Sequence, residues 1–247
     1  MWTMAGLVWS RLRGRAAFLL LGVGVAALGS VAFDPDLPFV ADPVQSFARG
    51  HLVLVVLCTL VVVFFGSMQV ASEVQDKTIA IWLTRPLSRP RYVAGKVLGT
   101  ACAGWALLAV LGIVFGAMLM ARGHVPPLAY GAWLVSDAMW LLVLASITTC
   151  FSTAFGSMAS AMFASVLTVA GLVSFALPLF AAYLGPTPAS WVLWALYLGI
   201  PNWQHFSPDA AAETSALLWI WRVLYAAGLA GFYLVLGVGV MEERDLS

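Results

Sequence analysis

The chain has 247 residues, of which 62% are hydrophobic and only 9% charged, and its mean hydropathy is +0.97. An ordinary soluble domain carries about 25% charged residues, so water is excluded as the main solvent. The net charge of +1 says nothing about partners by itself, and no nucleic-acid signature is present.

The N-terminal stretch places Arg11, Arg13 and Arg15 before an apolar run over residues 16–33. That run is longer than the h-region of a cleavable signal peptide, so it reads as a retained span. Further runs cover residues 52–71, 97–121, 131–151, 157–184 (with Pro178 inside) and 217–241. Each meets the roughly 20 apolar residues that a crossing helix needs. The expected fold is all-α: a polytopic membrane helical bundle of about six spans, forming one domain over residues 1–247.

Orientation follows from the basic residues, which short loops retain on the cytoplasmic side. With both termini inside, Arg11, Arg13, Arg15, Lys77, Arg85, Arg89, Arg91, Lys96 and Arg244 are cytoplasmic, and Arg49, Arg122 and Arg222 fall outside. The first outer loop carries Asp34, Asp36 and Asp42, and the region 185–216 carries Asp209 and Glu213 without any Lys or Arg.

The apolar stretch from Trp191 to Ile200 is too short to cross and reads as a re-entrant or interfacial helix. A seventh span over 179–200 is the alternative, with Gly185, Pro186 and Pro188 interrupting it and the C-terminus placed outside. Small residues recur every four positions at Gly156, Ser160 and Ala164 and at Gly22, Ala26 and Ser30. Both stripes let another backbone approach closely, which predicts packing against other helices of the bundle or, alternatively, a subunit interface. Trp219 and Trp221, beside an Arg222 expected to snorkel, suit the headgroup layer at the outer end of the last span.

The loop between the second and third spans, residues 72–96, holds Lys77, Arg85, Arg89, Arg91 and Lys96 of the chain's 12 basic residues. Glu73, Asp76, Lys77 and Thr84 share one helical face with Ala80, and Val74, Ile81 and Trp82 share the other. The pattern predicts an amphipathic helix on the cytoplasmic surface. Arg85 and Arg89 each precede a proline and are biased out of helix, which predicts a stiff elbow before Tyr92 to Lys96 returns to the membrane. Such a helix, clamped between two spans, passes a push from a partner into the bundle without chemistry of its own.

The order Glu73, Lys77-Thr78, an apolar stretch from Ile79 to Leu83, Arg85-Pro86-Leu87-Ser88-Arg89 and Gly95-Lys96 resembles the corresponding loop in permease subunits of type-2 ABC exporters. It departs from that pattern in having Asp76-Lys77 where Gly is frequent and Leu87 where Val is usual. An N-terminal amphipathic segment, Tyr197 followed by Pro201-Asn202-Trp203 and Phe206, and a terminal Glu243-Arg244-Asp245-Leu246 extend the resemblance. The resemblance implies a homodimer or heterodimer of six-span permeases in a bacterial inner membrane, paired with two ATP-binding subunits. It implies that Glu73, Asp76, Lys77, Thr78, Ile81, Trp82 and Arg85 form a coupling helix that meets the ATPase. Pro86, Ser88, Arg89, Gly95 and Lys96 would then form the elbow, and residues 185–216 a re-entrant outer gate. The chain contains no Gly-x-x-x-x-Gly-Lys-Ser/Thr phosphate cradle, since Gly95-Lys96 is followed by Val97. No enzyme activity or bound cofactor is expected of it, and ATP and Mg belong to the partner. An amphipathic or lipid-like substrate is expected; the competing reading is a non-transporting scaffold or sensor that binds a regulator through the same loop.

Asp137, an acidic residue well inside an apolar run, is a candidate intramembrane polar site: either a group that finds a partner within the bundle or in a wetted outer vestibule, or a cavity-facing substrate or proton site. His51, His124 and His205 are assigned to the outer side. Met118 and Met120 lie near His124, but the spacing fits no metal-ligand box.

Overall fold

The computed structural model describes residues 22–30, 43–76, 88–121, 130–174, 176–207 and 215–243. They are helical almost throughout, and no strand occurs among the described residues. In chain order the elements are α1 (22–30), α2 (Pro43–Gln69), α3 (Ala71–Gln75), α4 (Arg89–Ala121), α5 (Tyr130–Ala154), α6 (Ser157–Val173), α7 (Ala176–Leu184), α8 (Pro188–Gly199), a 3-10 turn (Trp203–Phe206) and α9 (Ala216–Glu243). A hydrocarbon solvent dictates this outcome, because it offers no hydrogen bonds and an α-helix satisfies its backbone within one segment.

Among the described residues, four helical stretches are long and apolar enough to cross a membrane: Gly50–Gln75, Arg89–Ala121, Tyr130–Ala154 and Ala216–Glu243. The bent pair α6 and α7 passes the same test only when its two helices are taken together, which gives up to five. Of the first expected span, only 22–30 lies among the described residues. The pair α6–α7 bends by 59°, and Pro178 accounts for the place of the break. Proline has no N–H for the carbonyl four residues earlier, so the Ser174 carbonyl accepts from Leu177 N–H instead, at 3.0 Å. The chain then restarts with Pro178 in the first turn of α7, where no donor is needed.

The seventh-span reading does not hold. After α7 the chain turns through Gly185, at φ 64°, which glycine adopts at little cost. Thr187 then caps α8 in a reciprocal box with Ser190, with Pro188 opening the helix. At 12 residues α8 is about 18 Å long, well short of a bilayer core of about 30 Å, and it packs against α7.

Helix α5 is the axis of the bundle, packing against α2, α4, α6 and α9. Its most apolar window is 67% buried, against 22% for α9. Trp140, Leu141, Leu144 and Ile147 fill its surroundings together with Leu54, Val62, Leu111 and Phe115. Aromatic side chains also bond across helices. Trp105 Nε1 donates to the Ala138 carbonyl at 2.7 Å, Tyr130 OH to the Gly112 carbonyl at 3.0 Å, and Trp140 Nε1 to Thr59 Oγ1 at 3.3 Å.

Three local expectations change. On α6, Ser160 and Ala164 are buried as expected and the inward stripe runs on through Thr168 and Gly171, but Gly156 is exposed. On α1, Gly22, Ala26 and Ser30 face outward, and Gly24 and Leu28 are the residues that pack. Arg222 does not snorkel, because its side chain is buried and its guanidinium lies 5.0 Å from the Trp219 ring centroid.

Candidate functional site

Helix α2 ends at Gln69 and α3 begins at Ala71. In an unbroken helix the N–H groups of Val70 and Ala71 would donate to the carbonyls of Gly66 and Ser67. Both instead donate to Ser152 Oγ on α5, at 3.0 and 2.9 Å, while the Ser152 hydroxyl donates to the Ser67 carbonyl at 2.9 Å. A hydroxyl has two lone pairs and one proton, so this one is fully used. The close approach needs Gly66, because a Cβ there would overlap the Thr148 hydroxyl of α5. The result is a joint between α2 and α3 whose broken backbone bonds are supplied by a third helix.

One turn beyond the joint stands Glu73. Its Oε1 accepts from Lys96 Nζ and its Oε2 from Tyr92 OH, both at 2.6 Å. Tyr92 and Lys96 are four apart and therefore share one face of α4. All three side chains are buried: Glu73 is 3% exposed, Lys96 1% and Tyr92 0%. A buried ion pair persists only with good geometry and saturated partners, and here each carboxylate oxygen has its own donor. Arg89, the first residue of α4, donates from Nη1 to the carbonyls of Met241 and Glu242, at 3.0 and 2.6 Å. It thereby caps the C-terminus of α9, where a cation suits the helix dipole. The joint, the ion pair and the cap lie at the same end of the bundle and tie α3 to α4 and α5, and α4 to α9.

This geometry corrects several expectations. Glu73 does not lie on the exposed polar face of a surface helix; its carboxylate turns inward onto α4. Asp76 is exposed, in the turn that closes α3, with its N–H on the Ser72 carbonyl at 2.9 Å. Arg89, Gly95 and Lys96 do not form an elbow. They belong to α4, which starts two turns earlier than hydropathy suggested, and Pro90 is accommodated in its first turn. Ser88 alone of the described elbow residues is outside helix. Lys77, Thr78, Ile81, Trp82, Arg85 and Pro86 lie outside the described residues. Tyr92 and Ser152 carry no motif. The signal for Tyr92 is its i,i+4 spacing to Lys96, and that for Ser152 is the run of Thr148, Thr149, Ser152 and Thr153 on a spanning helix.

At the opposite end Asp137 has a partner within the bundle. His51 Nε2 lies 3.2 Å from its Oδ2. His51 is buried, at the start of the spanning window of α2. The segment after α8 packs at the same end. Asn202 is fully buried, accepts from Gln204 N–H at 2.9 Å and donates its own N–H to Tyr225 OH on α9 at 3.0 Å. Ser136 Oγ donates to the Phe206 carbonyl at 3.0 Å, and Trp203 meets Trp140 edge-on. His205 packs edge-on against Tyr225 at 4.8 Å. Burial, and then the nearby Arg222, push its pKa below the ordinary histidine value. Among the described residues no group of three or more His, Cys, Asp or Glu side chains is placed to hold a metal.

The described residues form a polytopic helical bundle with a polar joint where the second span ends. The model of the ABC-2 family transporter protein matches residues 32–202, which is more than half of the chain, and the chain belongs to that family. It is a permease component of an ABC transporter and a multi-pass membrane protein, and membership implies association with an ABC ATP-binding subunit. Comparison with curated proteins gave no match.

Proposed function

We propose that this chain is the membrane-spanning subunit of an ATP-driven exporter for an amphipathic or lipid-like substrate, with ATP and Mg bound and hydrolysed on a separate subunit. The whole chain, residues 1–247, acts as one permease domain in a bacterial inner membrane with both termini cytoplasmic. Two permease subunits, identical or not, pair with two ATP-binding subunits. The segment 72–88, between the joint and α4, is the coupling segment. Asp76, Lys77, Thr78, Ile81, Trp82 and Arg85 meet the ATPase, and residues 185–216 close the extracytoplasmic mouth.

The observation that carries this reading is the anchoring of α3. A loop that only decorates the headgroup layer needs no buried attachment. This one enters through Glu73, which is held by Lys96 and Tyr92 on α4, and through a joint held by Ser152 on α5. Force applied to the loop therefore reaches two spanning helices directly. Glu73 acts as the attachment point rather than as a docking contact.

Affinity purification in mild detergent tests the reading. An ABC ATPase is expected to co-purify with the chain, and Arg85→Glu is expected to lose it while the permease remains monodisperse. Recovery of a non-ATPase regulator on the same loop, or an ATPase whose turnover ignores added lipid, would favour the scaffold or sensor reading.

A further inference from the structure

The end of the bundle opposite the joint contains a second buried polar centre. His51 opens the spanning window of α2, Asp137 lies about two turns into α5, and both side chains are 1% exposed. Trp133, one turn before Asp137, meets the imidazole edge-on at 5.3 Å. His51 Nδ1, Asp137 Oδ1 and Trp133 Nε1 have no hydrogen-bond partner among the described residues, and His51 Nε2 and Asp137 Oδ2 meet as an ion-pair contact at 3.2 Å without hydrogen-bond geometry. Two helices are joined at least as firmly by apolar contacts, and each unsatisfied buried polar atom is unfavourable. A purely mechanical tie would be apolar or saturated; this one is neither.

We propose that His51 and Asp137 form a proton-binding site within the membrane, which holds one proton as a net-neutral pair and ties the second span to the fourth. The proton resides on the imidazole facing a carboxylate, or on the carboxyl facing a neutral imidazole, and both arrangements sum to zero charge. Removing it leaves a lone carboxylate, and adding a second leaves a lone imidazolium; either is an uncompensated charge in an apolar interior. Among the described residues, the titratable groups besides His51 that interact with Asp137 are Cys58 on α2 and Tyr130 on α5. Both are neutral when protonated, and the Tyr130 hydroxyl is donated to the Gly112 carbonyl of α4. Described α1 and α6, and α4 from Ala103 to Ala121, contain no ionisable side chain. Arg222 on α9 interacts with His205. Among the described residues, neutrality of the pair therefore depends on its own proton. Separation of α2 from α5 that admits water releases this constraint, so the tie is strongest when dry and protonated.

The test is reversible unfolding of the full chain in mixed micelles from pH 5 to 8, for wild type, Asp137→Asn, His51→Gln and the double variant. Each variant keeps the site net neutral, so insertion is preserved. In the unfolded chain histidine titrates near about 6.5 and aspartate near about 3.9. Groups common to all four proteins cancel when each curve is referred to the double variant. Wild type is expected to be level below about pH 6.5, and its unfolding constant to rise about tenfold per pH unit above it, because the folded state keeps a proton that the unfolded state releases. His51→Gln is expected to show that rise across the whole range, its proton resting on Asp137. Asp137→Asn leaves no carboxylate to share the proton and is expected to lose the wild-type rise above about pH 6.5. A wild-type curve parallel to that of the double variant overturns the proposal. If a variant cannot be purified, a wild-type unfolding constant that is independent of pH between 7 and 8 overturns it alone.

Discussion

Lys96 Nζ lies 2.6 Å from Glu73 Oε1, and this contact joins the first turn beyond the α2–α3 joint to the third span. Both groups are almost completely removed from solvent. Their mutual removal and their separate removal therefore have different consequences.

Glu73→Ala leaves the Lys96 ammonium buried without its counter-ion. The expected loss is about 3–5 kcal/mol of stability, read as a fall in the denaturant midpoint in detergent. Replacing both residues with methionine restores most of that loss, because an apolar pair of similar volume is close to neutral. If Glu73→Ala is as stable as wild type, the carboxylate does not hold α3.

Ser152→Ala removes the acceptor for Val70 and Ala71 N–H and the donor to the Ser67 carbonyl. The expected cost is about 1–3 kcal/mol. Ser152→Thr keeps the hydroxyl and should retain more of the stability than alanine does. Equal stability of the alanine variant and wild type would mean that the α2–α3 backbone pairs with itself once the hydroxyl is gone.

Arg89→Ala uncaps α9. The lost contacts with the Met241 and Glu242 carbonyls are worth about 1 kcal/mol, so amide exchange over the last turn should quicken roughly fivefold. Amides in the middle of α9 should not change. Unaltered exchange at the terminus would show that another group satisfies those carbonyls.

His205 gives a pH dependence of definite sign. Burial and Arg222 depress its folded-state pKa, so the folded protein prefers the neutral ring. The associated stability is complete above the unfolded value of about 6.5 and is lost as pH falls through the lower folded value. Thermal midpoints from pH 7 to pH 5 should fall less for His205→Gln than for wild type. Parallel curves would remove His205 as a contributor.

The spans were legible because crossing hydrocarbon requires a long apolar run, and five of those runs reappear as helices or as a bent pair. Their ends were not legible. Hydropathy marks where lipid contact stops, whereas α4 continues as helix through Lys96 to Arg89 because each cation finds a partner, on Glu73 and on the end of α9. Glu73 was misread for a related reason. The rule that polar residues face water holds when water is the only source of partners, and a neighbouring helix with Tyr92 and Lys96 is another. The break near Ser174 was written in Pro178, four residues on. The His51–Asp137 pair joins residues far apart in sequence, and only the packing of α2 on α5 reveals it.

Cys58 and Cys150 are buried, whereas Cys102 is exposed on α4, about 9 Å along the helix axis from Lys96. The wild-type chain therefore supplies a single natural attachment point for a small thiol-reactive fluorophore, located on the same rigid rod that receives Glu73. A label there would report rotation or tilt of that rod during each nucleotide cycle without any engineered cysteine.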